Sequence, residues 1–95
     1  MIKIKKSILG AYLKQKRVDL KLSQYELGEM LSYNPQFISN WERGISSPPV
    51  IVISKLITIL NIPQQEILEI LTEESINYWK EVVYSSKKKS KSKWF

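Results

Sequence analysis

Cysteine and histidine are both missing from this chain of 95 residues. Their absence removes disulfides, most zinc sites and the commonest general base at once. A secreted chain this small usually leans on disulfides, so the composition points to the cytoplasm. The only glycines are Gly10, Gly28 and Gly44, too dispersed to cradle a phosphate in a Gly-rich loop. Long apolar runs are missing too. The stretch 50–62 is interrupted by Lys55 and is too short to span a bilayer. Residues 1–9 superficially resemble the start of a signal peptide, but Lys14 and Lys16 cut the apolar stretch short, so no leader and no membrane association are expected. Acidic clusters with metal-ligand spacing are absent. Glu73 and Glu74 are adjacent, but near a helix start the helix dipole explains them better than acid–base work. No enzyme activity, cofactor or metal is expected.

What is present is a 43% hydrophobic chain, enough for one small domain with a single core. The net charge is +6 and unevenly spread: residues 1–21 carry +6, residues 22–81 carry −5 and residues 82–95 carry +5. Basic ends around an acidic middle suit a nucleic-acid binder whose phosphate attraction comes from its extremities.

Residues 22–44 carry the strongest local signal. Ser23 and Glu26 complete a Ser-x-x-Glu capping box, opening a helix whose Leu27, Gly28 and Leu31 share a face. Asn34 followed by Pro35 opens a second helix, Asn as cap and Pro at the first helical position. With only Ser32 and Tyr33 between them, the two helices must pack at a steep angle, and Gly28 allows close backbone approach. On the second helix Ile38, Trp41 and Glu42 fall on the inward side, and Gln36, Ser39, Asn40 and Arg43 on the outward side. Gln and Asn can pair bidentately with adenine, Ser serves either base, and Arg reads guanine or grips phosphate. The pattern is a helix-turn-helix that binds DNA through the second helix, residues 35–43.

These residues resemble the phage-repressor and Cro type, Xre-like helix-turn-helix family, and the resemblance extends over about residues 9–68 without a gap. Leu9-Gly10, Leu13 and Arg17 match the family's first helix, Leu22-Ser23-Gln24 and Leu27 its second, and Ile38-Ser39-x-x-Glu42-x-Gly44 its third. Pro48, Ile53, Leu56, Leu60, Ile62 and Ile67 fit helices four and five. The resemblance implies an all-α, five-helix repressor-like domain that regulates transcription as a homodimer on double-stranded DNA, in the cytoplasm at the nucleoid. It also implies an ion pair between Arg17 and Glu42 tying helix one to helix three. Gln36, Ser39 and Asn40 are then the base readers. Ser23, Gln24 (through side chain and amide), Asn34, Arg43, Ser46 and Ser47 are the phosphate contacts.

Three positions depart from the family pattern. Ser32 stands where Gly is usual, Gly28 where Ala is usual, at a cost to helix propensity but none to packing, and Pro35 removes a donor and a side chain that some members aim at DNA.

Outside the motif, a helix is predicted over 7–17, burying Leu9, Leu13 and Tyr12. A fourth over 50–61 would place Val50, Ile53, Leu56, Ile57 and Leu60 inward. Ile51, Val52 and Ile59 then lie on its other side, either as a subunit interface or beneath the C-terminal segment. Pro63 opens helix five, and residues 1–71 form the DNA-binding domain. Thr72-Glu73-Glu74 reads as a fresh cap or a continuation, leading to an additional C-terminal helix over 72–84 striped by Ile76, Trp79 and Val83. This helix could fold back on the core, pair with a second subunit or hold a protein partner. Residues 85–95 form a basic Ser/Lys tail, ending in Trp94-Phe95, that is expected to be disordered alone and either to track phosphates or merely to solubilise. Two other classes of function fit parts of this pattern: an antitoxin-like protein-interaction module using Ile51, Ile59 and the last helix, and a low-specificity architectural nucleoid protein relying on the Lys-rich ends.

Overall fold

A computed structural model describes residues 8–89, with side chains as far as Ser86. The described residues form five helices: α1 Ile8–Asp19, α2 Gln24–Leu31, α3 Pro35–Glu42, α4 Val50–Ile59 and α5 Gln64–Lys89. The fold is all-α, and no helix among the described residues is long and apolar enough to cross a membrane.

The helix starts follow from local chemistry. Ser23 accepts from the Glu26 amide at 2.9 Å while the Glu26 carboxylate accepts from the Ser23 amide at 2.8 Å, so the capping box opens α2 in full. Asn34 Oδ1 accepts from the Gln36 amide at 2.8 Å, with Pro35 in the first turn of α3.

The helix ends share one device. After each of α1 to α4 a left-handed residue turns the chain, at Lys21, Ser32, Gly44 and Asn61. The next amide returns to a carbonyl five residues earlier: Leu22 to Arg17, Tyr33 to Gly28, Ile45 to Asn40 and Ile62 to Ile57, at 2.8–3.1 Å. This is the Schellman closure, which satisfies carbonyls that the helix leaves open. Only one of the four left-handed residues is glycine. The other three carry a Cβ in a conformation that costs about 1 kcal/mol or more. Ser32, at φ 63°, is exposed. Ser32→Gly is therefore expected to stabilise the domain by about 0.5–1 kcal/mol, read as a rise in the urea midpoint at unchanged slope. A fall in the midpoint would show that the Ser32 side chain contributes more than its backbone costs.

Gly28 and Gly10 mark two close approaches. A Cβ on Gly28 would lie 2.5 Å from the Tyr33 carbonyl oxygen, so the α2–α3 turn here occupies the space of the family's usual alanine methyl. The close backbone approach expected at Gly28 is present, and packing requires the glycine despite its cost in helix propensity. A Cβ on Gly10 would lie 2.5 Å from the Glu42 carbonyl oxygen, where α1 meets the end of α3.

All five helices supply the core: Leu9 and Leu13 from α1, Leu27 and Leu31 from α2, Ile38 and Trp41 from α3, Val52 and Leu56 from α4 with Leu60 at its end, and Ile67 from α5. Helix α4 departs in part from expectation. Leu56, Ile57 and Leu60 face the core as expected, but Val50 is 85% exposed while Val52 is only 2% exposed and Ile59 packs against the core; Ile51 is left outside. The run Val50-Ile51-Val52-Ile53 offers no polar residue to fix its rotation, and the tertiary contacts decide.

Helix α5 runs through the expected boundary near residue 72 without a break, so the additional helix is its continuation. Glu74 lies in the middle of α5 and acts on another helix: its Oε2 accepts from the Leu9 amide at 3.0 Å, placing a carboxylate at the N-terminus of α1. Tyr12 donates to Glu66 across the same α1–α5 contact, and burial together with that carboxylate pushes its hydroxyl up to about 12. The helix continues to Lys89, five residues into the stretch expected to be disordered, while residues 90–95, with Trp94 and Phe95, lie outside the described residues.

Candidate nucleic-acid interface

The platform for α3 is a buried ion pair. Arg17 Nε lies 2.6 Å from Glu42 Oε2 and Arg17 Nη2 3.0 Å from Glu42 Oε1, a bidentate fork between α1 and α3, with both residues at least nine-tenths buried. The remaining needs of the pair are met locally. Arg17 Nη1 donates to the Leu22 carbonyl at 2.7 Å, and Gln24 Nε2 donates to Glu42 Oε1 at 3.0 Å. A buried carboxylate requires donors on most of its lone pairs, which is why Gln24 turns inward. One of the two N–H donors of Gln24 Nε2 is thus turned to Glu42; its second N–H and its backbone amide in the first turn of α2 remain for an anion.

A second support is aromatic. Tyr33 in the turn sits edge-on to Phe37 (5.4 Å) and to Trp41 (5.2 Å), bracing the turn against α3. Three aromatics at 33, 37 and 41, each four apart, were the available signal.

The outer face of α3 is polar and connected. Gln36 Nε2 donates to Asn40 Oδ1 at 3.1 Å, Arg43 Nη2 donates to the same oxygen at 3.1 Å, and Arg43 Nε donates to Ser39 Oγ at 3.3 Å. Gln36 and Arg43 are exposed, Ser39 and Asn40 half-buried, so four side chains from two turns form one network facing away from the core. Asn40 Oδ1 accepts from two donors, and neither Asn40 Nδ2 nor Gln36 Oε1 is used within this network. The face thus offers both a donor and an acceptor.

The caps add further donors beside this face. Ser23 and Asn34 use oxygen to accept backbone amides, leaving the Ser23 hydroxyl hydrogen and Asn34 Nδ2 free for an anion. Ser46 and Ser47 are exposed in the loop after Gly44. Among the described residues no group of three or more acids could hold a metal ion.

A family profile described as helix-turn-helix matches residues 13–67, more than half of the chain. No curated protein and no solved structure matches it significantly. The match begins within α1 and ends within α5, so it spans the buried ion pair, the whole of α2 and α3 and their polar outer face. The chain belongs to the Cro/C1-type, Xre-like helix-turn-helix family of DNA-binding domains.

Proposed function

We propose that the chain reads a specific operator in double-stranded DNA, with α3 in the major groove and two copies on paired half-sites, as a repressor-like transcriptional regulator at the nucleoid. The observation that carries this reading is the outer face of α3. Its amide and hydroxyl groups hold one another in place, so Gln36, Ser39 and Asn40 enter the groove with little side-chain freedom left to lose. Their mutual hydrogen bonds are exposed and can be exchanged for base edges at small cost. Arg43, Ser46 and Ser47 hold phosphates at one end of α3. Ser23, Asn34 and the Gln24 amide hold them at the other. Arg43 is the only Lys or Arg between residues 22 and 54, so this surface discriminates more than it attracts.

Gln36→Ala and Asn40→Ala test the assignment. Each is expected to cost about 1–3 kcal/mol of discrimination between a selected operator and random DNA, with random-sequence binding nearly unchanged. Binding isotherms on both DNAs at one fixed salt concentration give the ratio. Equal losses on both would remove these residues from base reading.

A further inference from the structure

Past Asn77, α5 leaves the core. One side of the helix is sheathed by Ile67, Ile70 and Leu71, but the opposite side carries Leu68, Ile76, Trp79 and Val83 in a single stripe, each at least half exposed. At 100° per residue these four positions fall within about 80° of one another. Two shallow grooves follow the stripe, one bounded by Gln65 and Lys80 and the other by Ser75 and Tyr84, and they share Ile76 and Lys80. An apolar stripe on a projecting helix has no reason to remain helical in water alone, since isolated helices owe most of their stability to packing of that face.

The charges along α5 indicate what covers it. Residues 64–74 carry four Glu and no Lys or Arg, whereas residues 80–89 carry four Lys and one Glu. Laid antiparallel against a copy of itself, the acidic half meets the basic half twice. Glu73 and Lys80 lie two turns apart on the same flank of the stripe. In a two-fold antiparallel pair centred near Ile76 that flank faces its own counterpart, so Glu73 stands opposite Lys80 of the other copy and Lys80 opposite Glu73. A parallel pair would instead set the acidic halves side by side.

We infer that the exposed apolar stripe of α5 is the self-association surface of this protein: two copies pair antiparallel through Leu68, Ile76, Trp79 and Val83, with reciprocal Glu73–Lys80 contacts fixing the direction. The inference rests on the two-copy reading above and names the surface it requires. Helix α4, whose apolar outer residues Val50 and Ile51 are also exposed, takes no part.

Sedimentation equilibrium on the full chain tests it. Trp79→Glu is expected to weaken the dimer at least 100-fold while leaving the urea midpoint of the monomer unchanged, because Trp79 is more than half exposed and is not among the core residues. Glu73→Lys and Lys80→Glu should each weaken it several-fold, and the double exchange should restore it. Direction is read separately. The chain has no cysteine, so Ile76→Cys should form an intersubunit disulfide on oxidation and Ser86→Cys should not, the two copies of residue 86 lying about 30 Å apart in the antiparallel pair. Disulfide formation at 86, or failure of the double charge exchange to restore association, would overturn the antiparallel pairing. A dimer indifferent to Trp79→Glu would overturn the surface. So would a monomeric wild type. Counting copies on operator DNA keeps the readings apart: two copies bound despite an intact Trp79→Glu dimer leaves the two-copy reading standing without this surface. One copy on DNA alongside an α5-dependent dimer does the reverse.

Discussion

Arg17→Met is expected to lower the free energy of unfolding by about 3–5 kcal/mol, a large part of what a domain of this size possesses. The fork it removes is buried on both sides, with side-chain exposures of 9% and 4%. Without it the Glu42 carboxylate would remain inside the domain with the single amide of Gln24 as partner. The penalty comes mainly from that stranded charge, so removing both charges together, as Arg17→Met with Glu42→Leu, should recover much of the loss. Urea denaturation of the two variants measures both quantities. A single-variant loss within about 0.5 kcal/mol would mean that water reaches the carboxylate. A double variant no better than the single one would mean that the geometry of the fork, rather than its charge balance, holds α1 to α3.

Gly10→Ala is expected to cost about 3 kcal/mol, although alanine is worth about 1 kcal/mol more than glycine in a helix interior. The added methyl would meet the carbonyl oxygens of Glu42 at 2.5 Å and Trp41 at 2.6 Å, and neither is a flexible side chain that could move aside. Helix α1 would have to retreat from α3, stretching the Arg17–Glu42 fork in the process. The two substitutions therefore act on one contact and should be less than additive when combined. Thermal unfolding of Gly10→Ala, Arg17→Met and the pair gives the coupling. A Gly10→Ala protein as stable as the wild type would show that α1 can shift freely over the end of α3.

What could be read from the residue order was what is decided within a few residues. The capping box at Ser23 and Glu26 and the Asn34–Pro35 start place α2 and α3 to the residue, because cap and first turn are neighbours in sequence. The inward set Ile38, Trp41 and Glu42 follows from periodicity because polar residues mark the other side of α3. Helix α4 has no such marker in its first turn, and its rotation is settled by packing that joins residues far apart in sequence. The continuity of α5 was hidden for a related reason. Thr72, Glu73 and Glu74 look like a helix start, yet Glu74 serves the amide of Leu9, 65 positions away. The inward turn of Gln24 depends likewise on a carboxylate 18 positions downstream.

The four left-handed closures after α1, α2, α3 and α4 bear on how quickly the chain finds its fold. Each reverses direction through a hydrogen bond spanning five residues, so every helix carries its own stop and exit angle before any partner helix is present. The links that follow are short, and no strand among the described residues has to wait for a distant mate. Little loop entropy is spent before favourable contacts form, which places the chain among helical domains that fold in microseconds to milliseconds. Only the α1–α5 contact joins opposite ends of the described chain, so the Leu9–Glu74 and Tyr12–Glu66 bonds should form after the rate-limiting step. Substitutions there should speed unfolding and leave the folding rate nearly unchanged.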